Sequence, residues 1–179
     1  MIGATSLMDS PPGHSLEKRW LKSLPSSRMV FPSSPKDRLK YFFWRLYTPY
    51  HPFVRDAALA LRIARHRGRQ DYLLGTVAPH LTIKEFISSL IAQGFGNHFV
   101  AWKDEDEVVS LRYVKDFAYQ YHLRVFKDGE VRAHYEYTPE CYPLSHLKGR
   151  HMQARREEFL VFLGDMIVPC LQEQRAAHE

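Results

Sequence analysis

The stretch FAYQYHLRVFKDGEVRAHYEYT, residues 117–138, decides the fold of this 179-residue chain. Its odd positions are apolar or aromatic on both sides of a central Lys-Asp-Gly, and its even positions are mostly polar. Alternation with a period of two is typical of a β-strand that buries one face. The stretch therefore predicts a β-hairpin.

The register of this hairpin follows from keeping the apolar residues on one side. That condition pairs Val125 with Val131 and Tyr119 with Tyr137, and it leaves residues 127–129 as a three-residue loop. A glycine at the end of such a loop suits the left-handed position of a bulge turn. A two-residue turn would place apolar side chains opposite polar ones along the whole ladder.

The same register sets polar residues opposite one another, because it pairs Arg124 with Arg132, His122 with His134, and Glu136 with a glutamine. Directly opposed like charges destabilise a strand pair unless another group compensates. An anion bound between the two arginines would compensate for them.

Besides binding of an anion or nucleic acid by the arginines, three interpretations of this polar row stay open. His122, His134 and Glu136 are candidate catalytic residues, because histidines and a carboxylate beside arginines can cleave a phosphodiester by acid–base chemistry. Alternatively, His122 and His134 are metal ligands that Glu136 or His146 completes. In the third interpretation the row is an ordinary exposed face with surface ion pairs. We expect no cofactor and no metal, and a binding protein rather than an enzyme.

Helical periodicity and capping residues precede the hairpin. Ser34 before Pro35 is a good N-cap, and Thr82 with Glu85 forms a capping box. The predicted helices cover residues 35–47, 52–67, 70–78 and 82–93. In the first helix an apolar stripe at helical spacing predicts the buried side; it consists of Leu39, Phe42, Phe43 and Leu46.

The fold class that these elements predict is α+β. Strands at 98–103 and 108–114 come before the hairpin, so that residues 98–138 form a four-stranded antiparallel meander. A final helix is predicted at 153–170. Residues 1–33 are rich in Ser and Pro and are predicted to be a disordered or loosely attached tail, whereas residues 34–176 form a single domain.

Residues 70–114 resemble a winged helix-turn-helix in the order of their elements. The resemblance implies that the helix at 82–93 enters the major groove of DNA and that the turn between the two strands is the wing. The hairpin and the segment after it look like small bacterial toxins that act on RNA, which implies RNA chemistry.

Charge is unevenly distributed along the chain. Residues 36–69 hold nine Lys or Arg against two Asp, a surplus of seven, whereas residues 70–179 hold twelve Lys or Arg against sixteen acidic residues. The leading hypothesis is therefore a nucleic-acid-associated protein that binds RNA or DNA through a basic helical surface. The candidate binding residues are Arg55, Arg62, Arg65, Arg67, Arg69, Arg124 and Arg132.

Two alternative functions belong to other classes. The first is a small ribonuclease-like, toxin-like enzyme that uses the His, Arg and Glu row. The second is a protein-interaction module without catalytic activity, which engages a protein partner through the N-terminal tail or the acidic turn at 104–107.

Cysteine content and hydropathy address the location of the protein. With only Cys141 and Cys170, the sequence lacks a disulfide framework, and a reducing compartment is expected. The sequence contains no apolar run of the roughly 18 residues that a membrane span requires. The sequence therefore predicts a cytoplasmic protein with no membrane partner.

Overall fold

The computed structural model describes residues 19–62, 72–98, 104, 106–147 and 152–170. Within them a helical turn at residues 19–22 comes first. The helices are α1 (Pro35–Tyr47), α2 (His51–Ala60), α3 (Ile83–Ala92), α4 (Pro143–Leu147) and α5 (Arg156–Leu163). The strands are β1 (Tyr72–Val77), β2 (Gly96–Asn97), β3 (Glu107–Val114), β4 (Tyr119–Phe126), β5 (Glu130–Tyr137) and β6 (Ile167–Pro169). The predicted α+β character is confirmed.

All six strands form one antiparallel sheet in the order β2-β3-β4-β5-β1-β6. The hairpin of β4 and β5 lies at its centre. Its register pairs Val125 with Val131, His122 with His134 and Tyr119 with Tyr137, as the alternation predicts. Gly129 ends the loop at a φ of 83°, in the left-handed region that glycine adopts without strain.

The apolar face of the sheet carries the hydrophobic core. The odd positions of β4 and β5 pack with α3 and α5, which bury Phe86, Leu90 and Phe159 completely. α3 begins at the predicted capping box, where Thr82 Oγ1 accepts from the backbone N–H of Glu85 and the Glu85 carboxylate accepts from the backbone N–H of Thr82. The apolar pattern and the capping box therefore both predict a helix that begins at this position.

The opposite face of the sheet is polar and is also buried. Residues 25–29 contact it, because the backbone N–H of Asn97 donates to the Pro25 carbonyl and Arg112 donates to the hydroxyl of Ser27. Trp20, Leu21 and Leu24 of the same N-terminal region pack against the core. The described part of the predicted tail is thus docked on the domain.

The helix predicted at residues 70–78 is wrong, because residues 72–77 form β1. This strand pairs with both β5 and β6 and buries Leu74 completely. Gly75 explains the close pairing, since a Cβ built there would lie 2.1 Å from the carbonyl oxygen of Val168. The strand occupies the position of the first helix of a helix-turn-helix, so the element order behind the winged-helix resemblance is absent.

The helix predicted at residues 153–170 is too long. α5 ends at Leu163, a 3₁₀ turn covers Gly164–Met166, and β6 follows. Gly164 has a φ of 51°, which takes the chain out of the helix, and the β-branched Ile167 and Val168 then favour a strand. Phe159, Leu163 and Ile167 of this segment are buried.

The predicted four-stranded sheet is too small, because β1 and β6 extend it on the far side of β5. The predicted strand at 98–103 falls almost entirely outside the described residues, and β2 comes just before it. α2 matches the start of the helix predicted at 52–67, and the part of that prediction from residue 63 onward also lies outside them.

α1 has the predicted bounds, but the side of the helix that was predicted to be buried is exposed. Ser34 caps it through the backbone N–H of Asp37, as expected. However, the buried residue of this helix is Trp44. The stripe that the sequence predicts to be buried is exposed, with exposed fractions of 57% for Leu39, 56% for Phe42, 59% for Phe43 and 54% for Leu46. Helical spacing finds an apolar face and does not say whether the same chain covers it.

Among the described helices, none has the length and apolar character needed to cross a lipid bilayer.

Candidate functional site

The candidate site lies on the buried polar face of the sheet. Because side chains alternate between the two faces of a strand, the even positions of β3, β4 and β5 all point to this side. They bring together Ser110, Arg112, Gln120, His122, Arg124, His134 and Glu136. The two remaining histidines of the cluster are His98, just after β2, and His146 on α4.

His122, His134 and Glu136 converge at the centre of this cluster. His122 Nδ1 lies 3.1 Å from His134 Nε2 and 3.5 Å from Glu136 Oε1. His134 Nε2 lies 3.3 Å from Glu136 Oε2. All three residues are buried, with exposed fractions of 8%, 3% and 2% respectively.

These separations match a metal site in scale. Zinc bonds to histidine nitrogen and carboxylate oxygen measure about 2.0–2.2 Å, so two neighbouring ligand atoms of a tetrahedral ion lie about 3.3–3.6 Å apart. The described residues contain one set of three or more potential ligands whose atoms meet in this way, and it is His122, His134 and Glu136.

A second layer of groups orients these side chains. Ser110 Oγ lies 2.5 Å from His122 Nε2, and Gln120 Nε2 donates to Glu136 Oε1 at 2.8 Å. A hydrogen bond from His122 Nε2–H to Ser110 would leave the Nδ1 lone pair facing the cluster. Metal-binding histidines commonly donate their other ring N–H in this manner.

His146 supplies a proton donor at the edge of the cluster. Its Nδ1 lies 3.0 Å from the carbonyl oxygen of Tyr137 and 3.2 Å from Glu136 Oε2. Both oxygens are acceptors, so this nitrogen carries the hydrogen. The His146 side chain is 18% exposed, which makes it the most open member of the group around Glu136.

A buried ion pair stabilises the neighbouring part of the sheet. Arg112 donates to both oxygens of Glu140, at 2.8 and 3.1 Å, and also to Gln120 Oε1. Both members of the pair are 2% exposed. Gln120 thereby links the pair to Glu136 and holds its own amide in one orientation.

His98 is the unusual member of the cluster. It is 1% exposed, and neither ring nitrogen has a hydrogen-bond partner among the residues that the structure describes. Its ring lies 4.7 Å from the ring of His122 and 5.7 Å from that of His146, measured between centroids. A buried polar group without a partner costs about 1–3 kcal/mol, so His98 calls for a ligand or another compensating interaction.

The electrostatics favour a negative carboxylate at Glu136 and a neutral ring at His98. Burial raises the pKa of Glu136, but His146 and His134 outweigh it and hold that pKa well below its usual range. Burial, together with His122 and Arg112, lowers the pKa of His98 well below its usual range. His98 therefore keeps a lone pair, as a metal ligand must.

The two opposed arginines of the hairpin are paired within the protein. Arg124 is buried and donates to the carboxylates of Glu107 and Asp104, the latter in the acidic turn. Arg132 donates to Glu130. The anions that compensate the repulsion are thus the chain's own carboxylates, and the acidic turn points inward at these positions.

The other predicted basic residues are distant in sequence from this cluster. Arg62 is exposed just after α2, and Arg55 belongs to that helix. Arg65, Arg67 and Arg69 lie outside the described residues.

Comparison of the chain with protein-family models, curated proteins and solved structures found no match.

Sequence reasoning found five members of the cluster and missed others; the five are His122, Arg124, His134, Glu136 and His146. Ser110 and Arg112 occupy even positions of a predicted strand next to the hairpin, so extending the alternation to β3 would have found them. Glu140 and His98 lie in irregular segments that follow strands, and hydrophobic periodicity gives no signal in such segments.

Proposed function

We propose that this protein binds a divalent transition-metal ion of the zinc type through His122, His134 and Glu136. The carrying observation is the convergence of two imidazole nitrogens and one carboxylate, at 3.1–3.5 Å from one another, on a buried sheet face. Imidazole and carboxylate are ordinary ligands of zinc.

Burial favours an ion over a polymeric substrate. The acid–base cleavage hypothesis uses the same three residues, but a phosphodiester chain needs an open groove to reach them. His134 and Glu136 are 3% and 2% exposed, and residues 25–29 contact the same face of the sheet. An ion needs only a narrow path, and the partly exposed His146 stands at the edge of the cluster.

The unpartnered ring of His98 supports the same proposal. Hydrogen bonds within the cluster account for Ser110, Gln120 and Glu136 but leave both nitrogens of this buried histidine unused. His98 lies outside the group of three whose ligand atoms meet, so its ring, 4.7 Å from that of His122, would act on the ion as a neighbour of a ligand. Because His122 lies on β4 and His134 and Glu136 lie on β5, an ion bound to all three would link the two strands of the hairpin.

The test is metal content combined with cobalt spectroscopy. The full chain, purified, stripped with a chelator and reloaded with Zn²⁺, should retain about one equivalent. Co²⁺ should give the intense visible absorption of a tetrahedral site. His134→Ala and Glu136→Gln should each lose the retained metal and the cobalt bands, whereas His98→Ala should weaken binding about tenfold or more.

His80→Ala is the matched control, because His80 is exposed on the turn before α3. This variant should bind metal like the unaltered chain. Equal retention by the unaltered chain and His134→Ala, with both folded by circular dichroism, would refute the proposal.

A further inference from the structure

The exposed apolar stripe of α1 is the largest feature that a metal site leaves unexplained. Leu39, Phe42, Phe43 and Leu46 each expose more than half of their surface. In a soluble monomer, contiguous exposed apolar patches of this kind mark interaction sites.

This stripe lies away from the side of α1 that docks on the protein. Trp44 is buried, Tyr41 packs its ring 6.4 Å from that of Phe117, and Lys40 Nζ lies 3.3 Å from Cys141 Sγ. Successive residues of an α-helix are rotated by about 100° around its axis, so the mean direction of these three side chains lies roughly 150° from that of the stripe. The helix therefore has two distinct faces, and the chain covers one of them.

Basic residues border the stripe. Arg38 and Arg45 are exposed on one side of it, and Lys36 is exposed on the other. Further exposed apolar side chains lie close in sequence; they are Phe31 at 74%, Tyr50 at 65%, Phe53 at 75% and Leu61 at 70%. The helical region 36–69 carries the surplus of seven positive charges.

We propose that α1, with the start of α2, docks on an anionic lipid surface. An interfacial helix buries Leu and Phe at the level of the acyl chains while Lys and Arg contact acidic headgroups. Such a helix lies in the plane of the membrane and needs no membrane-spanning length, so this proposal revises the expectation of no membrane partner, which rested on the lack of a spanning run. This mode of binding is independent of the metal proposal, since α1 contributes no ligand to it.

Charge and chemistry favour an anionic lipid surface over a second copy of the chain or a nucleic acid as the partner of this stripe. A second copy would bring its own exposed Lys36, Arg38 and Arg45 against those of the first, which opposes self-association through this face. Nucleic acid would satisfy the arginines, but phosphate and sugar offer no apolar environment for Leu39 and Leu46. Anionic lipid matches both the stripe and its borders.

The experiment is co-sedimentation of the full chain with vesicles. The protein should sediment with vesicles that contain phosphatidylserine, less with pure phosphatidylcholine, and less again as salt rises. Joint substitution Phe42→Ser and Phe43→Ser should weaken binding about tenfold or more, and joint reversal Arg38→Glu and Arg45→Glu should weaken it by a similar factor.

Val161→Ser is the control, because Val161 is a single exposed apolar residue, 84% exposed, on α5. It should leave vesicle binding unchanged. Sedimentation equal to that in the absence of vesicles would overturn the proposal. So would binding of single-stranded RNA without vesicle binding, or a dimer that the Phe42 and Phe43 substitutions dissociate while vesicle binding is absent.

Discussion

Tyr121 brings a phenol hydroxyl into the aromatic part of the core. The residue is 4% exposed, its ring packs against Phe159 and Phe162, and its hydroxyl donates to the Glu158 carboxylate. Burial, followed by the hydrogen bond to Glu158, raises the pKa of Tyr121 to about 12 from an ordinary value of 10.0. The neutral phenol is therefore part of what stabilises the native state.

This raised pKa predicts a loss of stability in alkali. Between pH 10 and about 12 the unfolded chain gives up the Tyr121 proton while the folded chain keeps it, so the free energy of unfolding falls as pH rises. Tyr121→Phe removes this contribution and should show a shallower decline over the same pH range. Urea unfolding of both proteins at successive pH values measures the difference. Parallel declines would contradict the assignment to Tyr121.

Arg124 illustrates what local sequence could and could not predict at this scale. The alternation placed it opposite Arg132 correctly, and the repulsion correctly called for anions. The source of those anions depended on how Glu107 and Asp104 fold back onto β4, which is a tertiary fact. The histidine row was likewise found from register, but its burial required knowing that residues 25–29 contact this face.

At the scale of elements, the docking of residues 25–27 depends on Gly96. A Cβ built on Gly96 would lie 2.2 Å from the backbone nitrogen of Ser27 and 2.3 Å from its Cα. Backbone atoms at that distance cannot rotate away as a side chain could. The segment that contacts the polar sheet face can therefore sit beside β2 only if position 96 is glycine.

Gly96→Ala should displace this segment. We expect a loss of about 1–3 kcal/mol in the free energy of unfolding, as for other overpacked sites, and faster trypsin cleavage at Arg28 under native conditions. Gly129→Ala is the comparison, because its Cβ meets no atom within 4 Å and its φ of 83° imposes only local strain. It should lower stability without faster cleavage at Arg28. Equal cleavage of Gly96→Ala and the unaltered chain would contradict this account.

Elements with strong local signals were predicted well, and those that depend on distant partners were not. The hairpin has regular alternation and a loop glycine, and α3 has a capping box. Each of these signals involves residues that are close in sequence. β1 reads YLLGTV and lacks regular alternation; it lies between β5 and β6, buries Leu74 and Gly75, and leaves Tyr72, Leu73 and Thr76 exposed. Its neighbours come from residues more than fifty positions away, so no local pattern could separate it from a short helix.

At the scale of the whole molecule, a bound metal should act as a clamp between strands. If His122, His134 and Glu136 hold an ion that the unfolded chain does not bind, free metal at about 100 times its Kd should add about 2.7 kcal/mol to the free energy of unfolding. Denaturant unfolding with Zn²⁺ and with a chelator measures this shift. The increment should vanish in His134→Ala and persist in His80→Ala. The same increment in both variants would mean that the ion binds elsewhere.

Within the residues that the structure describes, the six-stranded sheet has short strands at both of its edges. β2 contains two residues, and β6 contains three and ends at Pro169, which has no amide hydrogen to donate. A strand from another molecule could therefore form few backbone hydrogen bonds with either edge. Short edge strands are one way in which natural sheets avoid edge-to-edge association into fibrils.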